Sequence, residues 1–222
     1  MTTCLRESKA DICIFACTGT IGKGAAQILC REASAPITVL LAGRDLSKVR
    51  ELADELEQTS TRVTVKVHSE PVNVIDEAAL KTLAQKTRVL VNCVRIQEHP
   101  SACLSVAEAC CFTGTHYLDL ATCYREMAPT LALSPDRSLL VPACGFDYAF
   151  PDVAVYQAEQ AFLVRYGEAA TELQLTLAIR PGKEGVKLSI SAFEAMISKA
   201  LSRDDTSKAT SSSPRIERQS LL

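Results

Sequence analysis

Short, almost uninterrupted apolar runs alternate along this chain with longer segments in which apolar residues recur every three or four positions. Uninterrupted runs of strand length are typical of parallel strands covered on both faces, and the spaced segments are typical of helices with one buried face. The predicted strands are residues 11–17, 37–42, 63–67, 89–94, 115–120 and 138–143. The predicted helices are residues 22–31, 46–58, 76–86, 100–112 and 151–164.

This alternation predicts the fold class: α/β, a doubly wound parallel sheet of Rossmann type with helices on both faces. We expect this dinucleotide-binding domain to extend over residues 8–166. Residues 172–179 then alternate like a half-exposed strand, and we interpret residues 167–201 as the truncated start of a second, mixed domain for substrate binding or dimerisation. Residues 202–222, rich in Ser, Thr and charge, are predicted to be disordered.

Composition narrows the function classes. The 222 residues are 47% hydrophobic and carry a net charge of −2, so we expect no nucleic-acid partner. No apolar run approaches the roughly 20 residues that span a bilayer, and residues 1–11 lack the layout of a signal peptide. We therefore expect a cytoplasmic protein without a transmembrane segment.

The chain contains ten cysteines, but none forms a C-x-x-C pair. Zinc sites normally need such spacing, so no metal site is predicted. Disulfides are not expected in a leaderless chain that meets a reducing cytosol. We interpret most of the cysteines as small buried apolar residues, including Cys13, Cys93 and Cys144 in their apolar runs.

The segment Ala16-Cys-Thr-Gly-Thr-Ile-Gly22 joins the first predicted strand to the first predicted helix. A dinucleotide-binding turn needs small residues for the tight turn, for close approach of the pyrophosphate and for helix packing. Ala16, Gly19 and Gly22 stand at these positions. Helix amides would face the phosphates, with Thr18 and Thr20 as hydroxyl donors. The alternative is a plain turn of small residues, which its place after the first strand disfavours.

Arg44 directly follows the second predicted strand. An acidic residue at this place binds the ribose hydroxyls of NAD, whereas an arginine holds the 2′-phosphate of NADP. Asp45 is predicted to cap the following helix. We therefore predict NADP rather than NAD as the cofactor, with a solvated loop arginine as the alternative.

Five segments together resemble the saccharopine dehydrogenase-like oxidoreductases and their relatives, the trans-acting enoyl reductases. In family order and spacing, they are residues 16–22, 42–44, 89–94, 110–120 and 142–152. The last contains the most specific motif, Pro-x-x-Gly-Phe-Asp followed by Pro-Asp. The chain departs from the family pattern at Ala16, where the first glycine is usual, at Asn73, where an aspartate near the adenine is usual, and at residues 95–97 and 121–123.

The resemblance implies NADP-dependent hydride transfer to a small-molecule substrate that is lipid-linked or amino-acid-derived, with lipid metabolism as the setting. It also implies a homodimer and, as an alternative to the cytoplasm, peripheral association with a lipid droplet, a mitochondrion or another membrane. The predicted cofactor-binding residues are Ala16, Thr18, Gly19, Thr20, Ile21, Gly22, Arg44, Asn73, Asn92, Cys93, Val94, Gly145 and Phe146. Asp119 and Asp147 are the catalytic candidates, with helix capping or loop anchoring as the alternative.

One competing enzyme class is disfavoured. Short-chain dehydrogenases share the glycine turn but use a Tyr-x-x-x-Lys pair, and none of the five tyrosines has a lysine four residues later. Two functions stay open: an oxidoreductase, and a binding module or truncated pseudoenzyme that keeps the fold without turnover. The altered loops at 95–97 and 121–123 and the shortness of the second domain motivate the latter.

Overall fold

The computed structural model of the chain describes residues 9–59, 62–68, 70–94, 101–120 and 138–175, with only the backbone at 146–148. Most of the predicted second domain and the predicted disordered tail therefore lie outside the described residues, and all three domain boundaries stay predictions. In the strand predicted at 172–179, the described part, residues 172–175, has no strand conformation.

The described residues form alternating strands and helices. The strands are β1 Ala10–Phe15, β2 Ile37–Ala42, β3 Val63–Val67, β4 Thr87–Asn92, β5 His116–Asp119 and β6 Leu140–Val141. The helices are α1 Thr20–Glu32, α2 Leu46–Glu57, α3 Glu77–Gln85, α4 Ala102–Thr113 and α5 Phe146–Tyr166. All eleven predicted elements of the first domain are present, and the predicted bounds differ mainly at the ends.

The six strands form one parallel sheet in the order β3-β2-β1-β4-β5-β6. This confirms the predicted doubly wound fold. The strand order reverses between β1 and β4, and in open α/β sheets the crevice beyond the carboxyl ends at such a reversal is where ligands bind. Phe15 stands opposite Ala42 of β2 and Asn92 of β4, so these three residues mark the edge of the crevice.

Each face of the sheet has its own hydrophobic cluster. Phe15 and Leu90 belong to the cluster that includes buried residues of α3 and α4, while Ile14 and Leu41 belong to the one that includes buried residues of α1 and α2. Strand residues therefore alternate between two buried faces, which is why the strand runs are nearly continuously apolar. Of the eight described cysteines, six are buried, as predicted from their apolar surroundings, but Cys144, which was predicted to be buried, is only partly so.

Two predicted helix starts are confirmed by their capping hydrogen bonds. The Asp45 carboxylate accepts from the backbone amides of Ser47 and Lys48 at the start of α2. The Asp76 carboxylate accepts from the amide of Ala79 at the start of α3. Both aspartates satisfy amides that have no acceptor within the helix.

The prediction that the last helix begins at Pro151 is wrong. The helix α5 begins at Phe146, with Gly145 as its N-cap and Pro151 inside it. Proline favours the first helical turn because its missing N–H has no partner there, but one interior proline removes a single intrahelical hydrogen bond. Gly145 makes no side-chain cap, so the true start carries no sequence signal.

The turn between β1 and α1 is tighter than predicted, because α1 begins at Thr20 rather than at residue 22. Ala16 adopts a left-handed backbone with φ 58°, and the Gly19 amide donates to its carbonyl over 3.1 Å. A Cβ on Gly22 would lie 2.5 Å from the Ala16 oxygen and 2.8 Å from the Cys17 Cα. Only glycine lets α1 lie this close to the end of β1.

We expect Gly22→Ala to lower the free energy of unfolding by about 2 kcal/mol or more, because its methyl group meets backbone that cannot move aside cheaply. The control is Gly24→Ala in the same helix, where a Cβ would meet no atom within 4 Å. That substitution should raise the free energy of unfolding by about 0.5–1 kcal/mol. Denaturant titration of both variants measures the difference, and equal effects would contradict the packing described.

Ala16→Gly should raise the free energy of unfolding by about 0.5–1 kcal/mol, because removing the Cβ relieves a left-handed backbone by more than the glycine costs in chain entropy. Ala33, which ends α1 at φ −57°, is the matched control. There Ala33→Gly relieves nothing and should lower stability by about 0.5–1 kcal/mol. Thermal unfolding of the two variants should show shifts of opposite sign.

Candidate functional site

The amino terminus of α1 faces the crevice with unsatisfied donors. The amides of the first helical turn, Thr20 to Gly22, have no acceptor within the helix, and the N-cap residue Gly19 makes no side-chain cap. No acidic residue lies in this first turn. Of the residues that carry these amides, Thr20 and Ile21 are exposed, Ile21 by 56%, and Gly22 is buried. Together they form a positive helix end that can bind an anion.

Neither the backbone conformation at residue 19 nor the packing around it requires a glycine. The Gly19 φ of −73° and ψ of 163° are open to any residue, and a Cβ would lie at an ordinary 3.4 Å from the Ala16 oxygen. Gly19 and the flanking Thr18 and Thr20 are all exposed. What a side chain at residue 19 would obstruct is the approach of a ligand to the backbone amides.

Arg44 lies beside this turn, because the Cys17 amide donates to the carbonyl of Ala42 at the end of β2 over 3.2 Å. Its side chain is exposed and has no ion-pair partner within the part of the chain that the structure describes. Arg44 lies only two residues beyond Ala42, the last residue of the buried strand β2. Its exposed guanidinium is therefore attached to backbone that lies close to the sheet. A cation and a set of free amides thus stand at the same edge of the sheet.

Asn73 is placed near Arg44 by the loop after β3. The Val72 amide donates to the Gly43 carbonyl over 3.1 Å, which ties this loop to the Arg44 loop. The Asn73 Oδ1 accepts from the Ile75 amide over 3.3 Å, and the residue is exposed. Its carbonyl oxygen is therefore used in a local turn.

The end of β4 forms the other side of the crevice. The Cys93 amide donates to the Phe15 carbonyl over 3.1 Å, and the Val94 amide donates to the Asn92 Oδ1 over 3.1 Å. Burial raises the pKa of the Cys93 thiol to about 11. Cys93 is therefore a protonated packing residue at neutral pH, as predicted.

Three buried side chains are joined by hydrogen bonds, and we call Asn92, Tyr117 and Asp119 the Tyr117 network. The Asn92 Nδ2 donates to the Tyr117 Oη over 3.1 Å, and that hydroxyl donates to the Asp119 Oδ2 over 2.7 Å. The Cys103 carbonyl of α4 lies 3.2 Å from the same hydroxyl. Tyr117 is fully buried. The network links the carboxyl ends of β4 and β5 to α4.

Asp119 also holds the turn that leads into α5. Its Oδ1 accepts from the Ala143 amide over 2.8 Å, and its carbonyl accepts from the Cys144 amide over 2.7 Å. Ala143 has a left-handed backbone with φ 57°. Two residues later, Gly145 lies against Leu120, whose carbonyl would be 3.5 Å from a Cβ there. The amino terminus of α5 is thus fixed beyond the end of β5.

Of the two catalytic candidates, the structure describes the side chain of Asp119 but not that of Asp147. Asp119 is 1% exposed and anchors a loop, which was the alternative interpretation of this residue; a catalytic role stays an untested prediction. The side chains of Phe146 and Asp147 and the altered loops 95–97 and 121–123 lie outside the described residues. Burial, followed by the Asp119 charge, raises the pKa of the Cys144 thiol, so this cysteine is also a poor nucleophile.

Two features of this edge were missed by the sequence analysis. Tyr117 and Asp119 stand two residues apart on β5, a spacing that places both side chains on one face, but the pairing with Asn92 depends on strand register. His68, after β3, is 3% exposed, and its Nε2 has no hydrogen-bond partner among the residues that the structure describes. Its Nδ1 lies 2.9 Å from the Glu70 carbonyl. Nothing in the sequence around His68 signals this burial.

Two further findings concern the described ranges as a whole. No group of three or more His, Cys, Asp or Glu side chains is placed there to hold a metal ion. None of the helices in these ranges combines the length and the apolar character needed to cross a bilayer.

Solved structures with a similar fold include several dehydrogenases. The apo saccharopine dehydrogenase (L-Glu forming) from Saccharomyces cerevisiae has a TM-score of 0.49 at 18% identity, over 71% of this chain and 32% of the yeast chain. The bulky-bulky ketone specific alcohol dehydrogenase from Comamonas testosteroni has a TM-score of 0.40 at 16% identity, over 72% of this chain and 70% of its own. Shikimate 5-dehydrogenase from Listeria monocytogenes has 0.41 at 9%, over 74% and 53%.

No curated protein sequence matches the chain. The family model described as the saccharopine dehydrogenase NADP binding domain matches residues 12–174, which include the glycine turn, Arg44 and the amino terminus of α5. The chain therefore belongs to the saccharopine dehydrogenase family and carries its NADP-binding domain.

Proposed function

We propose that this chain is the cofactor-binding part of an NADP-dependent oxidoreductase, with the dinucleotide bound across the crevice between the ends of β1 and β4. NADPH supplies a hydride when it is bound. The chain's own residues bind the cofactor, orient it and shape the cleft that keeps water away. A carbonyl, imine or enoyl compound, lipid-linked or amino-acid-derived, is the proposed class of substrate.

The observation that carries this proposal is the open amino terminus of α1. Its free amides, the exposed Gly19 and the close contact at Gly22 form a concave backbone surface. Neither the backbone conformation nor the packing at residue 19 requires a glycine there. A pyrophosphate fits this surface because helix amides donate to phosphate oxygens without any side-chain ordering. We place the pyrophosphate there, flanked by the hydroxyls of Thr18 and Thr20.

Arg44 supports NADP as the form that is bound. An adenosine that lies over the end of β2 brings its ribose to the Arg44 loop, where an exposed guanidinium can donate two hydrogen bonds to a 2′-phosphate. Asn73 and the rest of the loop after β3 would then lie beside the adenine. The nicotinamide half extends in the opposite direction, towards Asn92, Val94 and Gly145.

A second function, the binding of NADP without turnover, is favoured by the hydrogen bonds and pKa values of the polar groups near the crevice. Both carboxylate oxygens of Asp119 accept hydrogen bonds, and the thiols of Cys93 and Cys144 have raised pKa values. A domain of this kind could bind NADP as a sensor or regulatory module without turnover. Oxidation of NADPH, followed by its absorbance, distinguishes the two functions when carbonyl, imine and enoyl compounds are added.

The cellular setting stays a set of predictions. A cytoplasmic location, peripheral association with a lipid droplet, mitochondrion or other membrane, and a homodimer all rest on the resemblance and on the sequence pattern.

The first test is calorimetric titration of the purified chain with NADPH. We expect one site per chain and a preference for NADPH over NADH, because Arg44 adds contacts to the 2′-phosphate. Absence of binding at cofactor concentrations up to about 1 mM, equivalent to a binding free energy weaker than roughly −4 kcal/mol, would contradict both candidate functions.

Arg44→Ala should weaken NADPH binding by about 10- to 100-fold, the loss of hydrogen bonds between charged groups, and leave NADH binding within about twofold. Arg31→Ala is the matched control, since Arg31 is an exposed arginine in the last turn of α1, at the end away from the crevice. It should change neither affinity. An equal loss of NADPH and NADH in the Arg44 variant would refute the assigned role.

A further inference from the structure

The buried Tyr117 hydroxyl connects elements that the proposed cofactor site needs in fixed positions. Asn92 and Asp119 are the last residues of their strands and stand directly opposite each other in the β4–β5 register. Tyr117 lies two residues before Asp119 and reaches both side chains. The Tyr117 network thus crosses the carboxyl edge of the sheet beneath the crevice without being exposed to it.

The network ends at a turn that needs an anchor. Ala143 has a left-handed backbone, which residues with a Cβ rarely adopt. Its amide and the next amide, that of Cys144, both donate to Asp119. These two hydrogen bonds hold the left-handed turn together with a third, which the Cys144 Sγ donates to the Val141 carbonyl over 3.2 Å. The start of α5 at Gly145 follows directly from this turn.

We infer that Tyr117 is a positioning residue, which holds Asp119 so that the turn at Ala143 presents the amino terminus of α5 to the nicotinamide half of the cofactor. This inference rests on the proposed binding of NADP in the crevice. Tyr117 contacts neither cofactor nor substrate in this arrangement. It acts through Asp119, whose other oxygen is the acceptor for the strained turn.

The effect should be confined to one half of the dinucleotide. The glycine turn and the Arg44 loop are joined to each other by the Cys17–Ala42 hydrogen bond, on the β1–β2 side of the crevice. The Tyr117 network lies on the β4–β5 side. Losing the Tyr117 hydroxyl should therefore disturb the nicotinamide side and leave the adenosine side unchanged.

The Tyr117 hydroxyl keeps its proton throughout the physiological pH range. Burial, then the neighbouring Asp119 charge, raises the pKa of the Tyr117 hydroxyl well above its ordinary value. The hydroxyl therefore stays protonated and continues to donate to Asp119, so the selective effect should be the same at pH 6 and pH 8, both below the ordinary tyrosine pKa of about 10.

The experiment compares two ligands on the full chain by calorimetry: NADPH, which has both halves, and 2′,5′-ADP, which has only the adenosine half and its 2′-phosphate. Tyr117→Phe should bind NADPH about tenfold more weakly, as expected for a lost hydrogen bond to a charged group, and 2′,5′-ADP within about twofold. The control is Thr115→Val, which removes a buried hydroxyl that donates to the Ala84 carbonyl over 2.7 Å at the opposite edge of the sheet. It should change neither affinity.

A pair of variants at Ala143 gives an independent test should Tyr117→Phe fail to fold, because Ala143 is only partly buried. Ala143→Val places a β-branched residue at a positive φ, which it tolerates poorly, and should reproduce the selective loss of NADPH affinity. Ala143→Gly adopts the same backbone without strain and should retain NADPH affinity within about twofold.

The outcomes distinguish failure of the proposed function from failure of the positioning role of Tyr117. If the unaltered chain binds neither ligand, the proposed function fails and this inference fails with it. If the unaltered chain binds both, the inference is overturned by equal losses of the two ligands in Tyr117→Phe, by no loss of either, or by equal NADPH affinities in the Ala143 pair. A loss specific to NADPH in both Tyr117→Phe and Ala143→Val, or in Ala143→Val alone where Tyr117→Phe does not fold, with Thr115→Val unaffected, supports it.

Discussion

The approach of α1 to the end of β1 is the contact on which both the fold and the candidate site depend. Gly22 leaves no space for a side chain between the helix and the Ala16–Cys17 backbone, and Ala16 turns the chain sharply enough to start α1 at once. The helix therefore presents backbone amides to the crevice. Those amides are held by the helix itself, so the phosphate proposed to bind there would not need to order flexible side chains.

The sequence was sufficient to predict the fold because its signals are local. Strands buried on both faces read as continuous apolar runs, and β2 and β3 have the predicted bounds. Asp45 was predicted to cap α2, because a side-chain oxygen placed before an apolar-periodic segment can accept hydrogen bonds from the first helical amides. Gly19, Gly22 and Arg44 were recognisable for the same reason: each occupies a fixed offset from a strand end.

The sequence was insufficient where structure depends on residues far apart along the chain. The Tyr117 network requires Asn92 and Asp119 to be opposite each other across 27 positions, and no local pattern states that register. The start of α5 was misplaced because Pro151 carries a conventional start signal while Gly145, the true N-cap, carries none. Strand alternation does place Tyr117 and Asp119 on one face. It does not reveal that Tyr117 donates to Asp119 while Asp119 accepts from the Ala143 amide.

The two candidate functions use the same binding groups and differ in the supply of a proton. In the proposed site, binding relies on backbone amides and one arginine, none of which changes its protonation during a reaction. Reduction of a carbonyl or imine also needs a proton at the oxygen or nitrogen. Beneath the crevice the Tyr117 hydroxyl donates to Asp119, and their raised pKa values make the thiols of Cys93 and Cys144 weaker acids than an ordinary cysteine. Turnover would therefore need another proton donor, whereas a binding module needs none.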